Sequence, residues 1–484
     1  MNKEDIYDGI TDIRDDLVED AAKKKHSRSR RRLWMGAVAA VLALAILTGV
    51  ILLPGGNGLD TYAIALAEYP DMAPYPDESA HVDPKTGDFD DEGFSEAWTA
   101  WWTDARARRS QPDGYDKGYD SFSEKAARQF LSGAGDENRV CSPLSLYLAL
   151  AMLAELSGGD SRQQILDVLE CPDMDTLRTQ TNSLWNANYI DDGAAVSIPA
   201  SSLWLSEDVR FKREAMDILA ENYYASSYTG HMGDPAFTAA LRDWLNEQTG
   251  GLLQEQAGNI ELDANTVLAL ATTLYFNARW DSEFNADKNT TDVFHAPTGD
   301  VTAEYMHKGG SRTYCWGEMF SAVSLPFAEG GVMSFILPDE GVSLDELLAQ
   351  AELYAYLESS SGSWEKSKYL IVNMSVPKFD VSSELDLIPG LKELGVTAVF
   401  DPAAADFSPM TNDTAAYVSQ VKHAARVMID EEGCTAAAFT VIQAAGSSEP
   451  PDETVDFVLD RPFLFAITGD AGQILFLGVV NQPA

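Results

Sequence analysis

Between Gly433 and Ser448 the chain reads GCTAAAFTVIQAAGSS, with no charge and no proline, set between Glu431-Glu432 and Glu449-Pro450-Pro451. Such a segment is constrained from two sides. Chain meant for solvent ordinarily carries charge or turn formers along its length, and the absence of proline leaves every amide able to join a hydrogen-bond ladder. In an extended conformation side chains alternate faces, so Cys434, Ala436, Ala438, Thr440 and Ile442 share one face and Thr435, Ala437, Phe439, Val441 and Gln443 the other. The first face is almost entirely small, as a strand that slides between two existing strands requires. The competing reading is an alanine-rich, low-complexity surface loop.

The N-terminal region divides by composition into three pieces. Residues 1–32 are polar and end in the basic cluster Lys23, Lys24, Lys25, Arg28, Arg30, Arg31 and Arg32. Residues 33–53, LWMGAVAAVLALAILTGVILL, contain no charge and are long enough to cross a bilayer as one helix. The next basic residue is Lys85, so the excess of positive charge lies before the span and places the N-terminus in the cytoplasm and the remainder outside. A cleaved signal peptide is the alternative, but its basic leader and apolar core are shorter than these. Residues 54–115 are rich in Pro, Asp, Tyr and Trp, and their first part reads as a stalk. Within them, residues 94–109 have helix-forming composition and hold Trp98, Trp101 and Trp102. Those rings either dock on the globular part or form a ligand-binding aromatic patch, and composition leaves both open.

The rest of the chain is large enough for a substantial core, with 45% apolar residues in 484. It is strongly acidic. Of 34 Lys/Arg and 76 Asp/Glu in all, residues 1–32 hold nine and eight, leaving 25 against 68. A nucleic-acid or heparin-like partner needs a basic patch, so neither is expected. Residues 122–130 and 143–156 read as helices, the second apolar nearly all round and therefore buried. Residues 332–337, 369–376, 457–459 and 474–480 read as strands, giving helices early and strands late, an α+β pattern.

Catalysis by this chain is not expected. It contains no G-x-S-x-G, H-E-x-x-H or G-x-x-x-x-G-K-[ST]. The histidines at 26, 81, 231, 295, 307 and 423 form no metal-ligand pair with each other or with cysteine. Cys141, Cys171, Cys315 and Cys434 include no C-x-x-C, and their spacing leaves their disulfide state open. A lone His such as His423 is ordinarily a hydrogen-bonded core residue.

Several motifs occur together in one order: NRVCSPLSLYLALAML at 138–153, LYFNARW at 274–280, LPDEG at 337–341, VPKF at 376–379, LGVTAVF at 394–400, RPFLF at 461–465 and ILFLGVVNQP at 474–483. With the segment after Glu432 they resemble the serpins over roughly residues 116–484, here as a membrane-anchored member of bacterial type. The resemblance implies the serpin fold, with three β-sheets, about eight to nine helices and an exposed reactive-centre loop. It also implies an inhibitor that is not itself an enzyme, a monomer with no cofactor or metal. The target protease's serine forms an acyl-enzyme with the loop, and the severed loop inserts into the main sheet as a new strand.

The family's site positions carry over residue by residue. Glu432, Gly433, Cys434, Thr435, Ala436, Ala437 and Ala438 match the hinge, and Cys434 stands where Thr or Ser is usual. Cysteine is comparably small, so insertion should survive, although oxidation of the thiol would enlarge it. Ser142, Ser145, Trp280 and His423 match residues that gate the sheet. Thr272 stands where the family has an Asn that bonds the gating His, which puts that network in doubt. Counting forward from Gly433 puts the scissile bond at Ser447–Ser448, with Ala444, Ala445 and Gly446 as alternatives. Counting back from Arg461 puts it later, so the window runs from Ala444 to Pro451. It holds no Lys, Arg or aromatic residue, which points to extracellular elastase-like or subtilisin-like targets with small or broad pockets. The alternative is a serpin-fold surface binding protein that traps no protease. Four segments are expected: a cytoplasmic tail at 1–32, a membrane span at 33–53, a stalk at 54–115 and an extracellular serpin domain at 116–484.

Overall fold

The computed structural model describes residues 58–359, 363–413, 416–434 and 451–483. The span expected at 33–53 lies outside them, and among the described residues no helix is long and apolar enough to cross a membrane.

Among the described residues a 3-10 turn (Gly58–Thr61) is followed by strand β1 (Ala63–Ala65) and helix α1 (Asp91–Arg109). Helix α2 (Tyr119–Leu131), strand β2 (Arg139–Cys141) and helices α3 (Pro143–Leu156), α4 (Gly159–Val168) and α5 (Met174–Asn188) follow. Next come β3 (Ile190–Asp191), β4 (Val196–Ser206), α6 (Arg213–Tyr223), β5 (Ala225–Gly230), α7 (Pro235–Gln248), α8 (Gln254–Gly258) and β6 (Leu268–Arg279). A strand-rich half continues with β7 (Thr290–Ala296), β8 (Gly299–Trp316), β9 (Phe320–Pro326), β10 (Val332–Pro338), α9 (Leu344–Leu348) and α10 (Ala351–Glu358). It ends with β11 (Ser367–Pro377), β12 (Phe379–Asp386), α11 (Leu387–Glu393), β13 (Lys422–Ile429), β14 (Gly433–Cys434), β15 (Thr454–Val458), β16 (Phe463–Thr468) and β17 (Ile474–Val480).

Among the described residues two sheets result, in the orders β1-β5-β4-β6-β14-β13-β12, with β3 on β4, and β15-β11-β8-β9-β10-β16-β17-β2, with β7 on β8. Three sheets were expected. The difference lies in β8, whose 18 residues pair with β7, then β11, then β9 and so fuse what would be two sheets. Eleven α-helices occur among the described residues where eight to nine were expected; α1 precedes the matching region, and α8 and α9 have five residues each.

Helix α3 is the pivot of the core. Proline at its first position and the Ser142 side chain, which accepts from the Ser145 amide at 3.2 Å, set its start. Every one of its residues is buried, as an all-apolar helix requires. Strand β6 is buried along most of its length because both its faces are covered. Leu270, Leu274 and Phe276 join the cluster that includes α3, whereas Ala269 and Ala271 pack under Leu241 and Trp244 of α7. Strand β13 alternates strictly, with His423, Ala425, Val427 and Ile429 inward. The expected helices at 122–130 and 143–156 and the strands at 332–337, 369–376 and 474–480 all fall within observed elements; the strand expected at 457–459 is Thr454–Val458.

Residues 58–115 pack against the body. Trp101 is 2% exposed and donates its indole N–H to Asp192 at 2.9 Å, while Trp98 and Trp102 stack on each other and stay 40% and 39% exposed. Pairing with Asp192 satisfies the one polar group that makes burial of a tryptophan costly.

Candidate functional site

The place that could receive a strand lies between β6 and β13. These run parallel, and among the described residues two features join them: a bridge from Leu270 to Val421 at one end and β14 at the other. In β14, Gly433 pairs with Arg279 and Cys434 with both Ala278 and Ile429. Gly433 and Cys434, at the start of the expected hinge, therefore form a short strand inside the sheet, antiparallel to both neighbours.

A tight turn delivers it there. The Asp430 carboxylate accepts from the amides of Glu432 at 2.9 Å and Gly433 at 3.1 Å, and the Asp430 amide donates to the Gly433 carbonyl at 3.0 Å. A Cβ on Gly433 would lie 2.3 Å from the Ala278 carbonyl oxygen and 2.8 Å from the Arg279 Cα, so only glycine fits. Trp280, 3% exposed, braces the turn. Its amide donates to the Glu432 carbonyl at 3.0 Å, its indole N–H to the Asp430 carbonyl at 2.9 Å, and its ring stacks on Phe327. The Phe284 amide holds the Glu431 carbonyl at 2.9 Å.

An ion cluster closes this end. Lys378 lies 2.8 Å from Glu431 and 2.9 Å from Glu304, and Asn289 donates to both carboxylates. Burial pushes the Glu431 carboxyl up, but Lys378 and Asn289 outweigh it and hold the group below the usual range. Lys378 stands in the VPKF motif, yet its partner Glu431 is remote in sequence, so nothing local signals the pair.

Near the other end, His423 is 1% exposed and its Nε2 accepts from the Ser142 amide at 3.1 Å. Ser142 and His423 are thus brought together, and Ser145 joins them through the Ser142 hydroxyl. Because Nε2 accepts, the neutral ring carries its proton on Nδ1, and among the described residues that atom is buried without a partner. Thr272 is buried, and its place in the alternation of β6 sets it on the α3 face with His423, but no hydrogen bond joins them. Among the described residues no side chain of β6 pairs with this N–H. An Asn there offers an acceptor. Leaving a buried donor unpaired costs about 1–3 kcal/mol, so Thr272→Asn is expected to slow heat-induced loss of the native form by about tenfold per 1.4 kcal/mol gained. Unchanged decay in a timed inactivation assay would reject it.

Burial also lowers the His423 pKa to about 4, since nothing compensates the charged form. The ordinary value is 6.5. An unfolded chain then takes up a proton at a higher pH than the native one does, so this term lowers stability as pH falls from about 6.5 to about 4. Over that window it amounts to about 3 kcal/mol and flattens below. The denaturant midpoint difference between wild type and His423→Gln should change across pH 7 to 4; a constant difference would show that the ring does not titrate this way.

Cys434 is buried with its face toward the core. Of the remaining hinge positions, Thr435, Ala436, Ala437 and Ala438 lie outside the described residues, as do the scissile candidates Ala444, Ala445, Gly446, Ser447 and Ser448.

Comparison with known proteins accords with this architecture. The profile of the family Serpin (serine protease inhibitor) matches residues 117–483. Plasminogen activator inhibitor 1 of Neovison vison is 26% identical over 415 residues, covering 81% of this chain and 96% of that protein. Serpin-ZX of Arabidopsis thaliana is 29% identical over 368 residues, covering 72% and 93%. The native-state crystal structure of the thermophilic serpin Tengpin superposes with a TM-score of 0.68 at 24% identity, covering 77% of this chain and 95% of that one, and shares the fold. The chain belongs to the serpin family.

Proposed function

We propose that this chain inhibits serine proteases as a suicide substrate. The observation that carries this reading is β14: the hinge already occupies the first rung of a strand between β6 and β13. Two features favour continuation of that strand. The face that follows Cys434 is built of small side chains, and no proline or charge interrupts the segment up to Ser448.

In this mechanism the protease serine oxygen attacks a carbonyl between Ala444 and Pro451. The peptide bond breaks, the amine of the C-terminal piece takes the proton relayed by the protease's own base, and an ester joins protease to hinge. The freed hinge then adds rungs between β6 and β13 and carries the ester-linked protease with it. Distortion of the protease outpaces hydrolysis of the ester. The free energy comes from the metastable, loop-exposed form.

The absence of Lys, Arg and aromatic residues from the window favours elastase-like or subtilisin-like targets. We further propose that residues 33–53 anchor the domain outside the cell, on the strength of that uncharged run and the basic cluster before it. The test incubates the protein with pancreatic-type elastase, chymotrypsin and subtilisin. A denaturing gel should show a covalent complex with elastase or subtilisin, and the mass of the released C-terminal peptide identifies the bond. Proteases that cleave the loop and remain fully active would overturn the reading.

A further inference from the structure

Residues 58–115 lie almost entirely before the region matched to the family and are held on the body along their length. Strand β1 pairs with β5, the Tyr62 ring packs 4.9 Å from Phe237, Trp101 bonds Asp192, and Arg109 lies 3.0 Å from Glu329 and 2.8 Å from Asp470. What this segment turns outward is aromatic. Along α1, Phe94, Trp98 and Trp102 recur at i, i+4 and i+8, which sets them in one row on the helix surface. The Trp98 and Trp102 rings lie 5.6 Å apart and within 8° of parallel. Phe94 packs 5.5 Å from Phe89, and Val82 bridges Phe89, so the row continues past the start of the helix. Val82, Phe89, Trp98 and Trp102 are each 39–40% exposed.

Charge around the row selects what can cover it. Residues 77–96 hold eight Asp/Glu against the single Lys85, and Asp91, Glu92 and Glu96 are exposed. Asp91 stands seven residues before Trp98 and so shares its side of α1, whereas the Lys/Arg of this helix are confined to its last turn, beyond Trp102. Two exposed indoles beside a field of carboxylates suit a cation. An ammonium or guanidinium group is drawn to the face of tryptophan above all other rings, and the carboxylates steer it there. A neutral sugar would use the rings and leave the carboxylates idle, and an anionic lipid surface would be repelled by them.

We propose that the row from Phe89 to Trp102 is a docking surface for a Lys/Arg-rich segment of another polypeptide. Its cations lie over Trp98 and Trp102, and others meet Asp91, Glu92 and Glu96. The carboxylates set the rate of encounter and its dependence on salt. The tryptophans supply rigid contact area that holds the segment once it has arrived. None of these residues lies in the slot between β6 and β13, so the proposal stands apart from the trapping of proteases.

The experiment uses the full-length chain in a nonionic detergent and a fluorescein-labelled deca-arginine peptide, with binding read by anisotropy. A chain this acidic attracts any polycation, so the variants decide. Trp98→Ala and Trp102→Ala leave the charge untouched; each should weaken binding about two- to fivefold, and the two together about tenfold. Trp98→Phe combined with Trp102→Phe should keep most of the affinity. Asp91→Asn with Glu92→Gln should weaken binding severalfold and flatten its salt dependence. Glu214→Gln with Glu261→Gln, two exposed carboxylates elsewhere on the body, should leave it unchanged. Melting temperatures should be equal throughout, since the substituted side chains are exposed. Binding indifferent to both tryptophans, or equally reduced by the distant pair, would reduce the site to general acidity and overturn the proposal. Cellohexaose binding or self-association that the double alanine variant abolishes, with peptide binding intact, would overturn it as well by naming a different occupant.

Discussion

Under the proposed mechanism, Gly433→Val is expected to turn the chain from an inhibitor into a substrate. Gly433 sits where the new strand enters the sheet, and even a Cβ would lie 2.3 Å from the Ala278 carbonyl oxygen. The obstacle is backbone on a strand packed on both faces, so neighbours have little room to yield. Valine therefore has to push the turn out of the slot or part β6 from β13 beyond one strand's width. Overpacking of this kind costs about 1–3 kcal/mol, and each 1.4 kcal/mol added to the insertion barrier slows insertion about tenfold. Hydrolysis of the ester competes at its unchanged rate and takes over. Titration against a susceptible protease should show the inhibitor-to-protease ratio for full inhibition rising about tenfold or more, with cleaved inhibitor as the main band. A ratio equal to wild type would mean that the rung at Gly433 is not on the path of insertion.

Glu431→Lys is expected to shorten the life of the intact inhibitor severely. The substitution sets a second ammonium against Lys378 in place of a carboxylate 2.8 Å away, with Glu431 and Lys378 only 17% and 29% exposed. Two unit charges about 4 Å apart interact by about 4 kcal/mol at the effective dielectric near a protein surface. Screening at this partly open site reduces the effect, and a residual change of about 1.4–3 kcal/mol still means about ten- to a hundredfold. The damage falls on the turn that seats β14, so the sheet should open without a protease. Residual inhibition after timed incubation at moderate temperature measures this. Adding Lys378→Glu should restore much of the lifetime, since the two charges are then exchanged and the introduced ammonium again meets a carboxylate. Equal lifetimes for wild type and the Glu431→Lys variant would remove the cluster from the closing machinery.

What the order of amino acids alone makes legible is local. The unbroken apolar character of 143–156 requires a buried helix, and α3 is that helix. The small-sided segment after Glu432 announces a strand lacking neighbours, and its first two residues are found between β6 and β13. Trp280 and Ser142 stand out by their motifs and His423 by its match to a family position, and each meets another element of the slot at hydrogen-bond distance. Thr272 is a departure visible in the sequence, whereas the unpartnered Nδ1 of His423 appears only in the fold.

Other features have no local signature. The pairing of Lys378 with Glu431 and Glu304, the fusion of two sheets through β8, and the fastening of residues 58–115 by Tyr62 and Arg109 all join residues remote along the chain. Solvent partitioning and backbone sterics act on each residue and its immediate neighbours, so periodicity, the need for glycine and the lack of charge are written into the order of amino acids. Which strand lies beside Gly433, and which carboxylate meets Arg109, depends on how the whole chain closes on its core. That closure brings Trp280 to Asp430 across 150 residues, and no short pattern encodes it.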